Sequence, residues 1–112
     1  MAEAGEIFRH EAVFYGEMAR RGLTGMNTSV HTIVAHYFLN HGTEEQRRTF
    51  LPRMAKGELI GAIAMTEPGT GSDLQGIHTR ADKAGDNYRL SGSKTFISNG
   101  FLAGVVYFGA VF

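Results

Sequence analysis

The sequence predicts an α+β fold in which helices come first and strands follow. Before Gly57, apolar residues recur every three to four positions, which is the period of a helix. After Gly57 the period falls toward two, and turn-forming residues separate short apolar runs, as in an antiparallel sheet. We therefore expect residues 1–58 to form a helical segment and residues 59–112 to form a strand segment.

The first two helices are predicted by the spacing of their apolar residues. The first helix carries such residues about one turn apart: Phe8, Ala12, Tyr15, Ala19 and Leu23. The second carries the stripe typical of a buried helix: Val30, Ile33, Val34, Tyr37 and Phe38. Asn27, Thr28 or Ser29 is the expected N-cap of the second helix, and Gly42 is its expected end.

A capping-box sequence predicts the start of a third helix. Thr43 is followed three residues later by Gln46, so each side chain can bond the backbone N–H of the other residue. Pro52 is expected to interrupt or restart this helix, because proline lacks the N–H that an inner turn needs. Lys56 and Gly57 are expected to end it.

The second half of the chain contains several candidate strands. Residues 59–65 form a short apolar run, which is most simply a buried strand. Residues 77–81 and 88–90 alternate between apolar and polar and flank a turn sequence at 83–87, so they predict an antiparallel hairpin. Residues 94–98 and 105–108 are expected to form two further strands.

Composition excludes several classes of protein. The chain has 112 residues, no cysteine, and eleven basic residues that balance eleven acidic ones. Disulfides, thiolate zinc sites and a cysteine nucleophile are therefore excluded, and no basic patch favours a nucleic-acid partner. No apolar run reaches the length of a membrane span and the start does not resemble a signal peptide, so we expect a soluble intracellular protein.

The most informative segment is the glycine loop, residues 66–76, which follows the first predicted strand. Its three glycines and one proline allow sharp turns, and they let a planar or phosphorylated ligand approach main-chain N–H groups. A nucleotide-binding P-loop is excluded because no Gly-Lys-Ser/Thr follows, and the glycine spacing does not fit a dinucleotide fingerprint. The residues alone leave a simpler alternative open, a tight turn whose backbone is capped by Asp73.

The segment from Ala64 to Gly76 resembles the first signature of the flavin-dependent acyl-CoA dehydrogenases. The matching residues are Ala64, Met65, Thr66, Glu67, Gly71, Ser72, Asp73 and Gly76. Residues 92–100 resemble the family strand Gly-x-Lys-x-x-Ile-(Thr/Ser)-Asn-(Gly/Ala), and residues 43–59 resemble the segment that precedes the signature. The likeness covers residues 6–106 and is nearest the long-chain type.

The resemblance implies an acyl-CoA dehydrogenase-like domain order. Residues 1–58 would be the end of an N-terminal all-helical domain, and residues 59–112 the first half of an antiparallel β-barrel domain. The family's C-terminal helical bundle would be absent, so we expect a truncated piece of such an enzyme. The glutamate that acts as catalytic base in the family lies in that bundle, so no catalytic residue is expected in this chain.

The resemblance also implies an FAD site and an acyl-CoA substrate. The expected flavin-contacting residues are Ile63, Ala64, Met65, Thr66, Gly71, Ser72, Phe96, Ile97 and Ser98. Thr66 would bond the polar edge of the ring, Phe96 would pack on its face, and the Ser98 hydroxyl would reach toward N5. Ser72 would also contact the pantetheine part of the substrate. Glu67 lies inside the signature and is expected to have a structural role.

Partners and location are expected from the same resemblance. They are an electron-accepting flavoprotein, further copies of the chain in a homo-oligomer, and a cytoplasmic or mitochondrial matrix location. No metal site is expected, because His31, His36 and His41 recur every five residues, whereas helical metal pairs favour a spacing of about four. We expect them instead to be polar histidines at the helix surface or at caps.

Two alternatives to a working enzyme remain open at this point. The chain could be a catalytically dead fragment that binds flavin weakly or only self-associates. It could also be a small α+β domain whose likeness to the flavoenzymes is only architectural.

Overall fold

The computed structural model describes residues 4–23, 25 and 27–112, with side chains from residue 9 onward, so the predicted role of Phe8 lies outside the described part. Helices precede strands, as predicted. The helices are α1 (Ala4–Arg20), α2 (Thr28–His41) and α3 (Glu44–Ala55). The strands are β1 (Gly61–Ala64), β2 (Arg80–Ala84), β3 (Asn87–Ser91) and β4 (Val105–Phe108), and a short 3₁₀ turn covers Leu74–Gly76.

The predicted helix ends are confirmed at α3 and at the C-terminus of α2. The Thr43 hydroxyl accepts from the N–H of Gln46 at 3.2 Å, and the Gln46 side chain accepts from the N–H of Thr43 at 2.9 Å. Gly42 ends α2 and donates its N–H to the carbonyl of Phe38. Asn27 occupies the N-cap position of α2, but its side chain makes no capping hydrogen bond.

The prediction that Pro52 interrupts or restarts the third helix is wrong. Pro52 lies inside α3, which continues to Ala55. The proline stands in the last turn, where only one inner N–H is lost, and its own carbonyl accepts from the N–H of Lys56 at 3.3 Å.

The strands form two small sheets with different directions of pairing. β2 and β3 pair antiparallel about a turn at Gly85, whose φ of 64° lies in the left-handed region, so the predicted hairpin is present. Its bounds differ from the prediction, because residues 77–79 lie outside β2 and residues 83, 84 and 87, expected in the turn, belong to the strands. β1 pairs with β4 in parallel, with Gly61 opposite Val105 and Ala64 opposite Phe108. Parallel pairing requires a long crossover connection, which the intervening residues 65–104 provide.

The prediction of a strand at residues 94–98 is wrong. These residues adopt no regular structure, and Phe96 and Asn99 have φ values of 53° and 63°. Left-handed backbone at Phe96, in the middle of the segment, is incompatible with an extended strand, and Asn99 directly follows the segment. The segment instead meets the end of β1 through one backbone bond, from the N–H of Thr95 to the carbonyl of Thr66 at 3.0 Å.

The core joins the helices to the β1–β4 sheet. Its buried residues are Val34, Phe38, Met54 and Leu59. The ring of Phe38 stacks on Phe50 with centroids 4.8 Å apart and meets the edge of Tyr107 from β4 at 5.4 Å. Tyr37 also stacks on Tyr107, so the predicted apolar stripe of the second helix packs into this core.

His31 connects three elements at the junction between helices and strands. Its Nδ1 accepts from the backbone N–H of Gly61 at 3.1 Å, and its Nε2 lies 3.2 Å from the carbonyl of Met54. A backbone N–H can only donate, so Nδ1 must be unprotonated and Nε2 must carry the hydrogen. The interpretation of His31 as a surface or cap histidine is wrong, because these partners hold it between α2, α3 and β1.

Gly61 is packed closely against α2 at the same junction. A Cβ at Gly61 would lie 2.8 Å from the Cβ of Val34, which is fully buried. This contact places the first residue of β1 directly on the helix.

Within the described part of the chain, no helix has both the length and the apolar content required to cross a bilayer.

Candidate functional site

The glycine loop begins at the end of β1 with a tight turn. The N–H of Glu67 donates to the carbonyl of Thr70 at 2.8 Å, and the N–H of Thr70 donates to the carbonyl of Glu67 at 3.1 Å. The Thr70 hydroxyl donates to the carbonyl of Gly76 at 2.6 Å, which closes the loop on itself. The loop is thus shaped by its own backbone and by a buried threonine.

Asp73 caps the second part of the loop. Its side chain accepts from the N–H of Gln75 at 3.1 Å and begins the 3₁₀ turn of Leu74–Gly76. The capped turn considered from the sequence is therefore present. It concerns residues 73–76, whereas Gly69 and Gly71 face open space, because a Cβ at either would meet no atom within 4 Å.

Glu67 is the polar centre of the site and is only 6% exposed. Its carboxylate accepts from the N–H of His78 at 2.8 Å, from the N–H of Thr79 at 2.9 Å and from the Thr79 hydroxyl. Lys94 adds an ion pair at 2.9 Å. The Thr79 hydroxyl, the His78 N–H and Lys94 hold the pKa of Glu67 far below its ordinary value of 4.5. The expected structural role of Glu67 is confirmed by these bonds.

Lys94 connects the residues just after β1 to the segment at 94–98, and the resemblance assigns both parts of the chain to the flavin. Its Nζ donates to the carbonyl of Met65 and to Glu67 Oε1, each at 2.9 Å. The side chain is 7% exposed, so the charge is neutralised inside the protein and not in water. Lys94 was not predicted as a site residue, although it occupies the lysine position of the family strand pattern.

Asn99 is a second residue that sequence reasoning left out of the site. Its Nδ2 donates to the carbonyl of Gly61 at 3.2 Å and to that of Asn27 at 3.0 Å. The only sequence signal for it was the asparagine of the same family pattern. Asn99 thus connects the segment at 94–99 to the beginning of β1 and to the start of α2.

The structure brings some of the predicted site residues together. Ile63 and Ala64 lie in β1, and Met65 and Thr66 continue it half-buried beside Lys94 and Thr95. Phe96 is 93% exposed, Ile97 is half-buried and Ser98 is exposed.

Gly71 and Ser72 lie farther along the glycine loop and are exposed. Among the described residues, no hydrogen bond joins them to Phe96, Ile97 or Ser98. The predicted set therefore divides into a connected group at the end of β1 and a separate pair in the loop.

A half-open cavity of about 580 Å³ lies beside Asn99, and none of the predicted flavin residues lines it. Its walls include Phe14, Asn27, His31, Met54, Asn99 and Leu102. These residues come from the three helices and from the segment that follows residue 94, so the cavity lies where helical and strand parts meet. In the described ranges, no three histidine, aspartate or glutamate side chains group closely enough to hold a metal ion.

Three helices, a small β region and a glycine loop at the end of β1 define the class of this protein as α+β with its candidate site at a strand end. Two family models match the chain and identify the family within that class. The N-terminal domain of acyl-CoA dehydrogenase matches residues 3–58, and the middle domain of acyl-CoA dehydrogenase matches residues 62–111. The chain belongs to the acyl-CoA dehydrogenase family.

Individual relatives agree with the family. The mitochondrial long-chain specific acyl-CoA dehydrogenase of Sus scrofa is 52% identical over 101 residues, which are 89% of this chain and 24% of that protein. A crystal structure of acyl-CoA dehydrogenase from Geobacillus kaustophilus matches with 52% identity and a TM-score of 0.67, covering 69% of this chain and 20% of that one. The chain thus spans about a quarter of the length of its curated relatives.

One solved relative contains the reduced cofactor. The glutaryl-CoA dehydrogenase of Mycobacterium smegmatis, solved in complex with FADH2, matches with 41% identity and a TM-score of 0.63. The match covers 65% of this chain and 19% of that chain.

The comparisons confirm three predictions: the family, the order of helical and β segments, and the class of oxidoreductase to which the relatives belong.

Proposed function

We propose that this chain supplies one side of the flavin site of an FAD-dependent acyl-CoA dehydrogenase. The observation that carries the proposal is the 3.0 Å bond from the N–H of Thr95 to the carbonyl of Thr66. It joins the two segments assigned to the flavin by resemblance, while Phe96 and Ser98 stay exposed beside it. An exposed aromatic ring with left-handed backbone is costly and fits a residue kept for a ligand.

The residues present fit the proposed cofactor. The main chain at Met65 and Thr66 and the Thr66 hydroxyl would bond the polar edge of the ring, with Ile63 and Ala64 supporting them from β1. Phe96 would cover one face with Ile97 behind it, and the Ser98 hydroxyl would stand near N5. A donor near N5 would stabilise negative charge that develops there. FAD, when bound, supplies the hydride acceptor.

The proposed substrate is a fatty acyl-CoA thioester that loses hydrogens from its α and β carbons. Ser72 and Gly71 line the exposed part of the loop and would contact the ligand from that side, with Ser72 meeting the pantetheine. The 580 Å³ cavity offers apolar walls from Phe14, Met54 and Leu102, which suit an acyl chain. The expected long-chain preference stays a prediction.

The α-proton requires a base, and Glu67 does not suit that task. Its carboxylate already accepts four hydrogen bonds and its pKa is lowered, so its affinity for a proton is weak. We therefore propose that the base is contributed from outside residues 1–112. The electron-accepting flavoprotein, the homo-oligomer and the cytoplasmic or mitochondrial matrix location remain proposals for the whole enzyme.

A second candidate concerns the 112-residue chain by itself. It would be catalytically dead and would bind flavin weakly or self-associate. The observation in its favour is a set of large apolar side chains in water: Phe96 at 93%, Phe101 at 101% and Phe112 at 90% exposure. Exposed apolar surface of this kind favours association. A monomer at high concentration in sedimentation velocity would contradict self-association.

Titration of FAD into the purified chain tests the proposed function. Saturable quenching of flavin fluorescence with a structured visible band is expected, and the combined variant Thr66→Ala with Ser98→Val should weaken it. Ser91→Ala, at the end of β3, is the matched control and should bind as the parent does. If the parent and the combined variant bind FAD equally, the assigned residues do not form the site.

A further inference from the structure

We propose that Lys94 and Asn99 are positioning residues that fix both ends of the segment carrying Phe96 and Ser98 onto β1. The proposal deepens the proposed function and rests on it. It assigns neither residue a contact with the flavin. Each acts through the segment between them, by setting where the aromatic ring and the hydroxyl stand.

The first end of the segment is held by residues that immediately follow β1. Lys94 Nζ donates to the carbonyl of Met65 and to Glu67, both at 2.9 Å. Glu67 is itself held by Thr79 and by the backbone of His78, so Lys94 is tied to a carboxylate that cannot easily move. Burial removes competition from water, which strengthens this attachment.

The second end is held at the first residue of β1. Asn99 Nδ2 donates to the carbonyl of Gly61 at 3.2 Å and to that of Asn27 at 3.0 Å. The backbone N–H of Gly100 donates to the carbonyl of Ile97 at 2.9 Å, which closes a turn that contains Asn99. Gly61 is fixed in turn by His31 and Val34, so this attachment also rests on rigid structure.

The segment needs such support because its backbone is unfavourable by itself. Phe96 and Asn99 both have positive φ, which is uncommon for residues other than glycine. Such conformations persist where the surroundings hold them in place, and they cluster at ligand sites. With one end held at the first residue of β1 and the other just past the last, the segment presents Phe96 and Ser98 to solvent without forming a strand itself.

Two variants separate positioning from general stability. Lys94→Met removes both bonds of the first attachment while retaining the length of the side chain. Asn99→Gly removes the second attachment, and glycine tolerates the positive φ, so the backbone conformation itself is not forbidden. Thr43→Ala is the control, because it weakens the cap of α3 at a site that takes no part in the segment.

Two measurements are made on the full chain and each variant. The first is the dissociation constant for FAD from fluorescence titration. The second is hydrogen exchange at the amide of Thr95, which reports the bond to Thr66 without any flavin present. Both variants should raise the dissociation constant at least about tenfold and speed exchange at Thr95, whereas Thr43→Ala should lower the melting temperature and leave both readings at the parent's values.

The outcomes distinguish the two proposals. Variants that lower the melting temperature but keep the FAD dissociation constant within about twofold of the parent's would overturn the positioning role. If the parent shows no saturable FAD binding, the proposed function fails for this chain, and exchange at Thr95 decides the attachment alone. Unchanged protection of Thr95 in both variants would then show that Lys94 and Asn99 hold nothing in place.

Discussion

Lys94 Nζ lies 2.9 Å from Glu67 Oε1, and the two side chains are only 7% and 5% exposed. The pair Arg48–Glu44 on α3 is closer, at 2.8 Å, but its side chains are 79% and 65% exposed. Exposed pairs contribute little because water screens them, whereas removal of one partner of a buried pair leaves an uncompensated charge. Of these two ion pairs, the one at Glu67 is therefore the one whose loss should lower stability more.

Acidification should destabilise the protein through Glu67. Hydrogen bonds and Lys94 lower its pKa in the folded state below the ordinary 4.5, so the unfolded chain binds the proton more readily. The stabilisation is fully present above about pH 5 and is lost as the pH falls through 4.5 toward the lower, folded-state pKa. Thermal unfolding followed between neutral pH and pH 3 should show a melting temperature that decreases in this window.

Glu67→Gln is the comparison for the pH series. The amide cannot be ionised, so the variant should be less stable than the parent at neutral pH and its melting temperature should depend less on pH. Parent and variant curves that run parallel across the acidic window would mean that other carboxyl groups cause the loss.

Gly61→Ala should destabilise the contact between β1 and α2. The new Cβ would lie within 3.1 Å of three side-chain atoms of Val34, and neither backbone can move without disturbing the core. Overpacking of this kind costs about 1–3 kcal/mol, which chemical denaturation can measure.

Two further variants check that the clash at Gly61 is the cause. Gly69→Ala should be close to neutral, since its Cβ would meet nothing within 4 Å. The double variant Gly61→Ala with Val34→Ala should lose less stability than the sum of the losses of the two single variants. Strict additivity would rule out the proposed contact.

His31→Leu should lower stability mainly by leaving the backbone N–H of Gly61 without a partner, since the carbonyl of Met54 still accepts from the N–H of Gly57. The N–H of Gly61 and the carbonyl of Met54 would each lose their bond to the ring. An unsatisfied buried donor or acceptor costs about 1–3 kcal/mol, measurable as the free energy of unfolding in urea. His10→Leu, at an exposed position of α1, is the control and should change stability by less than about 0.5 kcal/mol.

Thr43→Ala should cost about 1 kcal/mol by removing the cap of α3. The hydroxyl that accepts from the N–H of Gln46 would be lost. Of the capping box, only the bond from the N–H of Thr43 to the Gln46 side chain would remain. Thr49→Ala, on the exposed surface of the same helix, should be neutral or slightly stabilising because alanine favours the helix. Equal effects of the two changes in denaturant unfolding would show that the capping box contributes nothing.

The features predicted correctly depend on residues that are close together in sequence. The capping box joins residues three apart, the stripe on α2 repeats with the helical turn, and the hairpin is set by a glycine turn. The glycine loop and the 92–100 pattern were enough to recognise the family. For these features the chain carries the physical cause within a few residues.

The wrong predictions share a different cause. Residues 94–98 have the composition of a strand, but the bonds of Lys94 and Asn99 to β1 hold them in an irregular path. The histidines of α2 were expected at surface or cap positions, yet His31 turns inward because its ring bonds the N–H of Gly61 and the carbonyl of Met54, which belong to other elements. Pro52 was expected to interrupt the third helix, but it lies in the last turn of α3 and the helix continues to Ala55.

The sequence alone determined the family, the order of helices before strands, and the loop on which a ligand site is proposed. The tertiary structure alone decided that Lys94 meets Glu67, that Asn99 and His31 both meet Gly61, and that Phe96 stays in water. The bonds of these three side chains span 27, 38 and 30 residues of chain. Local propensity acts over about one turn or one strand pair, so the partner of a buried polar side chain is fixed only when the packed chain excludes water from it.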